Sequence, residues 1–445
     1  MLLTATFYIV TTQLLGTLAP AHAATLPYIA ERGVAGHGSG NAVAVPARWD
    51  HYGYLFNVTV GSPPQNITML SDMTWMALFV RSGRCMGQFN PEFCTAKGQS
   101  MFNERESDTF RNTSFAQSMW PVTAFAPNFT VDYGRDQVCI GQICSKDTLL
   151  QVSDFPYPGS AVPVVSFGGI YGLAPPPAVR AETSEPVNYQ AWKDGKMGAL
   201  VGWHTCDVLE SKSSCQGGDA QLVFGGTDTA MYDTGKMQSY RIQNPEWLSD
   251  AFYPATPPRS NYWSVPLSGM WIKTINTTMS KNYAVPFKAV NGGKKTLPLA
   301  VVDEGSEGLG APLSLNAYRY LVKHTKAKVA SSTTVENILA QGSTGYNTGE
   351  QDWYTVPCDG LTDYPDLVYQ LDGGKQYTIP PSDYVTRLTN TLGSVCYLNI
   401  NVWRFGRTKT GNAKVVLLGK AFLKRHYLTL NFKERTFGLA PLRTE

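Results

Sequence analysis

Two stretches of this 445-residue chain are written on one plan. In the first, Leu55 to Val60 reads as a strand, Gly61-Ser62-Pro63-Pro64 as a turn, and Gln65 to Ser71 as a return strand that ends in Asp72. In the second, Leu299-Ala300-Val301-Val302 again drives an apolar strand into an acid, Asp303, followed by Glu304, Gly305 and Ser306. A strand that breaks on a carboxylate delivers that carboxylate to a loop, where it serves either as a turn-former or as a reactive group. One device used twice points to a strand-rich chain with an internal duplication.

The first stretch resembles the pepsin-like aspartic proteases. Gly61-Ser62-Pro63-Pro64-Gln65 matches that family's Gly-Thr/Ser-Pro-Pro-Gln hairpin, and the count from Asp72 to Val80 sets Leu78, Phe79 and Val80 on its Leu-Trp-Val without a gap. The family carries Asp-Thr-Gly in each of two lobes. Here the triplets read Asp72-Met73-Thr74 and Asp303-Glu304-Gly305, so both acids are kept and both triplets are altered. The resemblance implies a mostly β, two-lobe fold with a cleft between internally duplicated lobes. It makes Asp72 and Asp303 the catalytic pair and puts Tyr133, Gly134, Gly305 and Ser306 around the substrate.

Two carboxylates that face each other do not both ionise readily, because the second charge is repelled by the first. One acid keeps a proton and donates it to the scissile carbonyl oxygen, while the other takes a proton from a water between them. Which acid does which is a property of the pair. The scheme calls for no cofactor and no metal. In the family, the threonine of each triplet hydrogen-bonds the backbone of the opposite loop. Met73 has no side-chain group for that bond. Glu304 is able to accept one, but it adds a third carboxylate near the pair, which calls for a proton or a partner. Thr74 stands where the family has glycine, so a positive φ there would be costly. Trp75 replaces the serine that bonds the first aspartate.

Asn128 to Gly134 alternates like a strand that then turns, which resembles the family's flap with Tyr133 over the substrate. The family holds its flap tyrosine with the indole of Leu-Trp-Val, and Phe79 has no such donor. Phe167 to Ala174 and Val415 to Leu423 resemble the two crossing strands, one for each acid. The expected organisation is a signal peptide over 1–23, a short leader, prosegment or first strand over 24–50, an amino-terminal lobe over 51–242 and a carboxy-terminal lobe over 243–445. Asn244 to Asn261 reads as an insertion between the lobes. Pepsin-like zymogens carry a longer, Lys-rich prosegment, whereas 24–50 offers only Arg32 and Arg48.

The apolar run Phe7 to Leu18 before Ala21-His22-Ala23 reads as a secretory signal. No later apolar run reaches the roughly eighteen residues of a membrane span. The eight cysteines form four sequential pairs, Cys85 with Cys94, Cys139 with Cys144, Cys206 with Cys215 and Cys358 with Cys396. An even count behind a signal reads as disulfides, and nearest-neighbour pairing is the simplest connectivity. Sequons at Asn57, Asn66, Asn112, Asn128 and Asn276 suit the same route. With a net charge of +3, the chain has no basic stripe for nucleic acid or a membrane surface. The reading is a secreted, monomeric, divergent aspartic endopeptidase-like protein that takes a peptide in its cleft. The alternatives are a pepsin fold that binds or transforms a small apolar molecule, as in a fungal natural-product pathway, and an inactive binding protein.

Overall fold

The computed structural model describes residues 42–50, 53–88, 94, 100–119, 129–154, 167–176, 185–209, 211–245, 248, 261–274, 282–285, 297–305, 310–340, 352–390, 393–402 and 415–443. The first hairpin forms where its turn residues put it. Gly53–Val60 and Gln65–Asp72 pair antiparallel from Leu55 opposite Leu70 to Val60 opposite Gln65. Gly61 closes the first strand at φ +86°, and a Cβ there would stand 2.8 Å from the Ser107 hydroxyl, so the turn and its neighbour both require glycine. Along the return strand Ile67, Met69 and Ser71 are buried, which leaves Asp72 on the other face at the strand's end.

Each acid-bearing strand lies parallel to a strand from much later in the chain. Gln65–Asp72 pairs with Gly169–Gly172, with Asp72 opposite Gly172, and Leu299–Val302 pairs with Val415–Leu418, with Val302 opposite Leu418. Parallel neighbours need a long crossover, and this chain supplies one in each half. The two crossing strands are those expected, and Asp303 donates its N–H to the Leu418 carbonyl at 3.2 Å. A Cβ on Gly172 would come within 2.5 Å of the Trp75 and Ala77 carbonyls, so the loop after Asp72 rests directly on its crossing strand.

Among the described residues the largest sheet has 13 strands. Its order is Gln238–Arg241, Thr436–Pro441, His426–Asn431, Leu200–Thr205, Ala220–Phe224, Val43–Asp50, Gly53–Val60, Gln65–Asp72, Gly169–Gly172, Leu78–Arg81, Ile143–Ser153, Phe129–Ile140, Arg111–Met119. Val43–Asp50 thus lies inside the sheet, between Ala220–Phe224 and Gly53–Val60. Within 24–50, the described segment Val43–Asp50 is a strand. The chain's last strands, His426–Asn431 and Thr436–Pro441, return to pair with Leu200–Thr205 and Gln238–Arg241. The sheet therefore crosses the expected boundary near 242, and Glu31–Glu445 forms one compact unit.

A second sheet carries Asp303. Its order is Gln376–Ile379, Asp366–Leu371, Ser264–Lys273, Leu299–Val302, Val415–Leu418. The fully buried Trp263, just before the third of these, donates its indole N–H to the Leu173 carbonyl at 2.7 Å and so ties this sheet to the crossing strand behind Asp72. All four nearest-neighbour disulfides form, Cys85–Cys94, Cys139–Cys144, Cys206–Cys215 and Cys358–Cys396.

Candidate active site

Asp72 is half-buried at the end of its strand, and the loop that follows folds back onto it. One carboxylate oxygen, Oδ1, accepts from the Thr74 N–H at 2.7 Å, the Thr74 hydroxyl at 2.6 Å and the Trp75 N–H at 3.0 Å. The hydroxyl lost when Trp75 replaced the family's serine is thus supplied one residue earlier, by Thr74. Thr74 is not among the residues with positive φ, so the strain expected from a Cβ at this position does not arise. Asp303 is buried, and its Oδ1 accepts from the Gly305 N–H at 3.0 Å.

Glu304 joins the two loops. It is fully buried, with Oε1 accepting from the Ser71 hydroxyl at 2.6 Å and Oε2 accepting from the Met73 N–H at 3.0 Å. These donors flank Asp72 and lie more than 230 positions away in sequence. Glu304, able to accept a crossing bond, does so, and Met73 answers with its backbone because its side chain has nothing to offer.

The burial that hides Glu304 also makes its charge costly. Desolvation, then the nearby Asp72 charge, push its carboxyl up to about 7, against the pull of the Ser71 and Met73 donors. Desolvation likewise raises Asp72, while the Thr74 and Trp75 donors pull it down. Glu304 is therefore able to retain a proton near neutral pH, and Asp72 beside it is shifted in the same direction.

The strand with Tyr133 differs from its sequence reading. Phe129–Ile140 runs unbroken through Tyr133 and Gly134, with Gly134 opposite Leu150 and Asn112, so there is no turn at this dipeptide. Gly134 is glycine because a Cβ would stand 2.4 Å from the Phe110 ring. The connection in front of this strand, 120–128, lies outside the described residues. Tyr133 is only 2% exposed and packs with Trp75, Phe79, Val131 and Leu149. Its hydroxyl accepts from Gln151 Nε2 at 2.9 Å, and Gln151 Oε1 accepts from the Trp75 indole at 3.1 Å. An indole only donates, which fixes the orientation of the amide between them. The indole support missing at Phe79 arrives from Trp75 through one glutamine.

Ser306, Asn128 and Asn276 lie outside the described residues. Asn66 and Asn112 are exposed, whereas Asn57 is half-buried and accepts from the Thr68 hydroxyl at 2.9 Å. Among the described residues the one cluster with metal-ligand proximity is His204, Cys206 and Cys215, whose two sulfurs are joined in a disulfide. No helix among them is long and apolar enough to cross a membrane.

The signal that would have found Ser71, Thr74 and Gln151 is faint. Ser71 and Gln151 sit among other polar residues on their strands and Thr74 in the turn after Asp72, so no pattern singles them out, yet each is buried with its polar group satisfied by the site.

A family profile described as "Eukaryotic aspartyl protease" matches residues 53–442. Over 435 residues the chain is 73% identical to the secreted aspartic protease FUS4 of Gibberella moniliformis, covering 97% of each. It is 59% identical over 438 residues to the secreted aspartic protease LUC8 of a Fusarium species, covering 98% of this chain and 99% of the relative. Pepsin A of the dog is 24% identical over 390 residues, with 87% of this chain and 81% of the relative covered. With two strand-end acids on duplicated strand pairs and a profile match from the first hairpin to the last strand, the chain belongs to the eukaryotic aspartyl protease family and has its mostly β, bilobal pepsin-like fold.

Proposed function

We propose that the protein is a secreted aspartic endopeptidase that hydrolyses peptide bonds with Asp72 and Asp303 and a water between them. The observation that carries this reading is the Glu304 bridge, which ties the loops of two acids from opposite halves of the chain through Ser71 and Met73. In the working state the pair holds one proton. The ionised acid removes a proton from water as it attacks the scissile carbonyl, and the protonated acid donates to the carbonyl oxygen, giving a neutral tetrahedral diol. Collapse returns a proton to the leaving amine and frees the two peptide products.

Gly305 and Ser306 contribute on the Asp303 side. Tyr133 and Gly134 contribute from within the wall: Tyr133, buried against Trp75, steadies the Asp72 loop through Gln151. Relatives named as secreted proteases and the apolar segment within 1–23 support export of a protein that begins near Ala24 and carries glycan at exposed sequons. The remaining 24–50 residues stay with the mature protein as far as the strand Val43–Asp50 is concerned, because that strand is internal to the sheet.

The test is cleavage of an unfolded protein substrate across acidic to neutral pH by the wild type, Asp72→Asn and Asp303→Asn. Each variant is expected to lose at least about 10³-fold in kcat, the upper part of the range for a positioned acid or base, with an unchanged circular-dichroism spectrum. A folded wild type without cleavage, and without affinity for a tetrahedral-intermediate mimic, defeats the proposal.

A further inference from the structure

Glu304 is a third carboxylate in a site whose chemistry asks for two. Its surroundings say what it does there. In the extended strand Ser71 turns to the face opposite Asp72, and Glu304 takes its hydroxyl at 2.6 Å and, just past the strand's end, the Met73 N–H at 3.0 Å. It therefore grips the Asp72 strand from behind. Being fully buried, it has no surface to present to a substrate.

The bridge survives a change of protonation. When Glu304 is ionised, the Ser71 hydroxyl donates to it. When Glu304 carries a proton, its own O–H donates to the Ser71 oxygen, and Met73 N–H keeps its acceptor. The geometry is thus nearly constant while the charge beside Asp72 switches.

Among the described residues, the titratable groups by Glu304 are Asp72 from the first loop, its chain neighbour Asp303, and Tyr54 from the strand Gly53–Val60, which its charge also reaches. Beyond Tyr54 stand Asp207, Asp219 and Lys420, the last paired with Asp207 at 2.8 Å and set 4.5 Å from the centre of the Trp49 ring. Among the described residues no cation lies within ion-pair distance of Glu304.

Resting on the peptidase reading above, we propose that Glu304 is a positioning residue that also tunes the acid pair, holding the Asp72 strand in place and setting the upper pH limit at which Asp72 and Asp303 still share a proton. Once Glu304 ionises, its charge opposes a second charge on the pair, so the pair keeps its proton to higher pH than it would beside a neutral residue.

Glu304→Gln separates the two roles, since its amide oxygen accepts from Met73 and its NH₂ donates to Ser71, with no charge at any pH. The alkaline limb of kcat/KM is expected to move down by about half a unit or more in Glu304→Gln. Glu304→Ala, which lacks both acceptors, is expected to lose about 10-fold or more in kcat across the whole range with a smaller change in KM. Superimposable pH profiles for wild type and Glu304→Gln overturn the tuning role, and an unaltered kcat in Glu304→Ala overturns the positioning role.

Isotope-edited infrared titration of the carboxyls gives a second readout that needs no turnover. Glu304 should titrate at lower pH in Asp72→Asn than in wild type, and at higher pH in Ser71→Ala, which lacks the hydroxyl donor. A Glu304 titration that ignores both substitutions overturns the inference even if the wild type proves to cleave nothing. If Glu304→Gln does not fold, these two variants decide the matter.

Discussion

The loop that carries Asp72 folds on itself, whereas the loop that carries Asp303 reaches outward. In the first, Thr74 and Trp75 place three donors on a single oxygen of Asp72, and Met73 gives Glu304 of the other loop its backbone N–H. In the second, Asp303 receives the Gly305 N–H, and Glu304 extends across to hold Ser71 and Met73. Duplication produced two strands, two crossing strands and two acids in matching register, but the triplets have diverged into complementary roles. Among the described residues, the buried Glu304 carries the side-chain bridge between the two loops.

The strongest way to test that asymmetry is to remove each acid in turn. Both Asp→Asn variants should be inactive in the assay above, because a shared proton needs both partners whatever the difference between their loops. A variant that retained activity would mean that one loop works alone.

Next in size is the dependence of stability on pH. Glu304 titrates at about 7 in the folded protein against an ordinary 4.5, so the folded state holds a proton that the unfolded chain has released. Stability is therefore full below pH 4.5 and falls as pH rises through the folded value, by about 3 kcal/mol if the whole shift is expressed. Denaturant unfolding of wild type and Glu304→Gln at pH 4 and pH 8 measures it: the variant should gain on the wild type at the higher pH. Equal losses in both proteins would remove Glu304 as the cause.

Gln151→Leu probes the side of the first loop that has no counterpart in the second among the described residues. It removes the acceptor of the Trp75 indole and the donor to Tyr133 at buried positions, at a cost of about 1–3 kcal/mol in unfolding free energy. A midpoint equal to wild type in urea would show that the Trp75, Gln151 and Tyr133 chain does not support the Asp72 loop.

The smallest effect is expected from exchanging the third residue of each triplet. Thr74→Gly removes a hydroxyl donor from Asp72 and should raise its titration while costing about 1–2 kcal/mol. Gly305→Ala adds a Cβ that would sit 3.1 Å from Asp303 Oδ1, at a residue without positive φ, so a shift of a few tenths of an ångström accommodates it. Its cost should be the lower of the two, and the opposite ranking would mean that the second loop is the more tightly held.

Much of this was legible in the chain. The Gly61 to Pro64 turn, the apolar runs ending on Asp72 and Asp303, the two crossing strands and the four disulfides rest on signals confined to a few residues. The Tyr133-Gly134 reading failed because Tyr-Gly at the end of an alternating run is also what a strand looks like when glycine is needed to clear a ring, here that of Phe110. For 24–50 the chain left leader, prosegment and first strand open, because the strand Val43–Asp50 takes its place in the sheet from partners at Gly53–Val60 and Ala220–Phe224, the second of them far along the chain.

What the sequence determined by itself is the placement of two carboxylates at the ends of duplicated strands, since period, turn chemistry and chain breaks act over short distances. What only the tertiary structure decided is which distant groups meet them. Glu304 finds Ser71 and Met73, Thr74 replaces the missing serine, and Trp75 reaches Tyr133 through Gln151. Buried polar groups must be satisfied by whatever the packed sheets bring within hydrogen-bonding distance, and that choice is made by strand register across the whole fold.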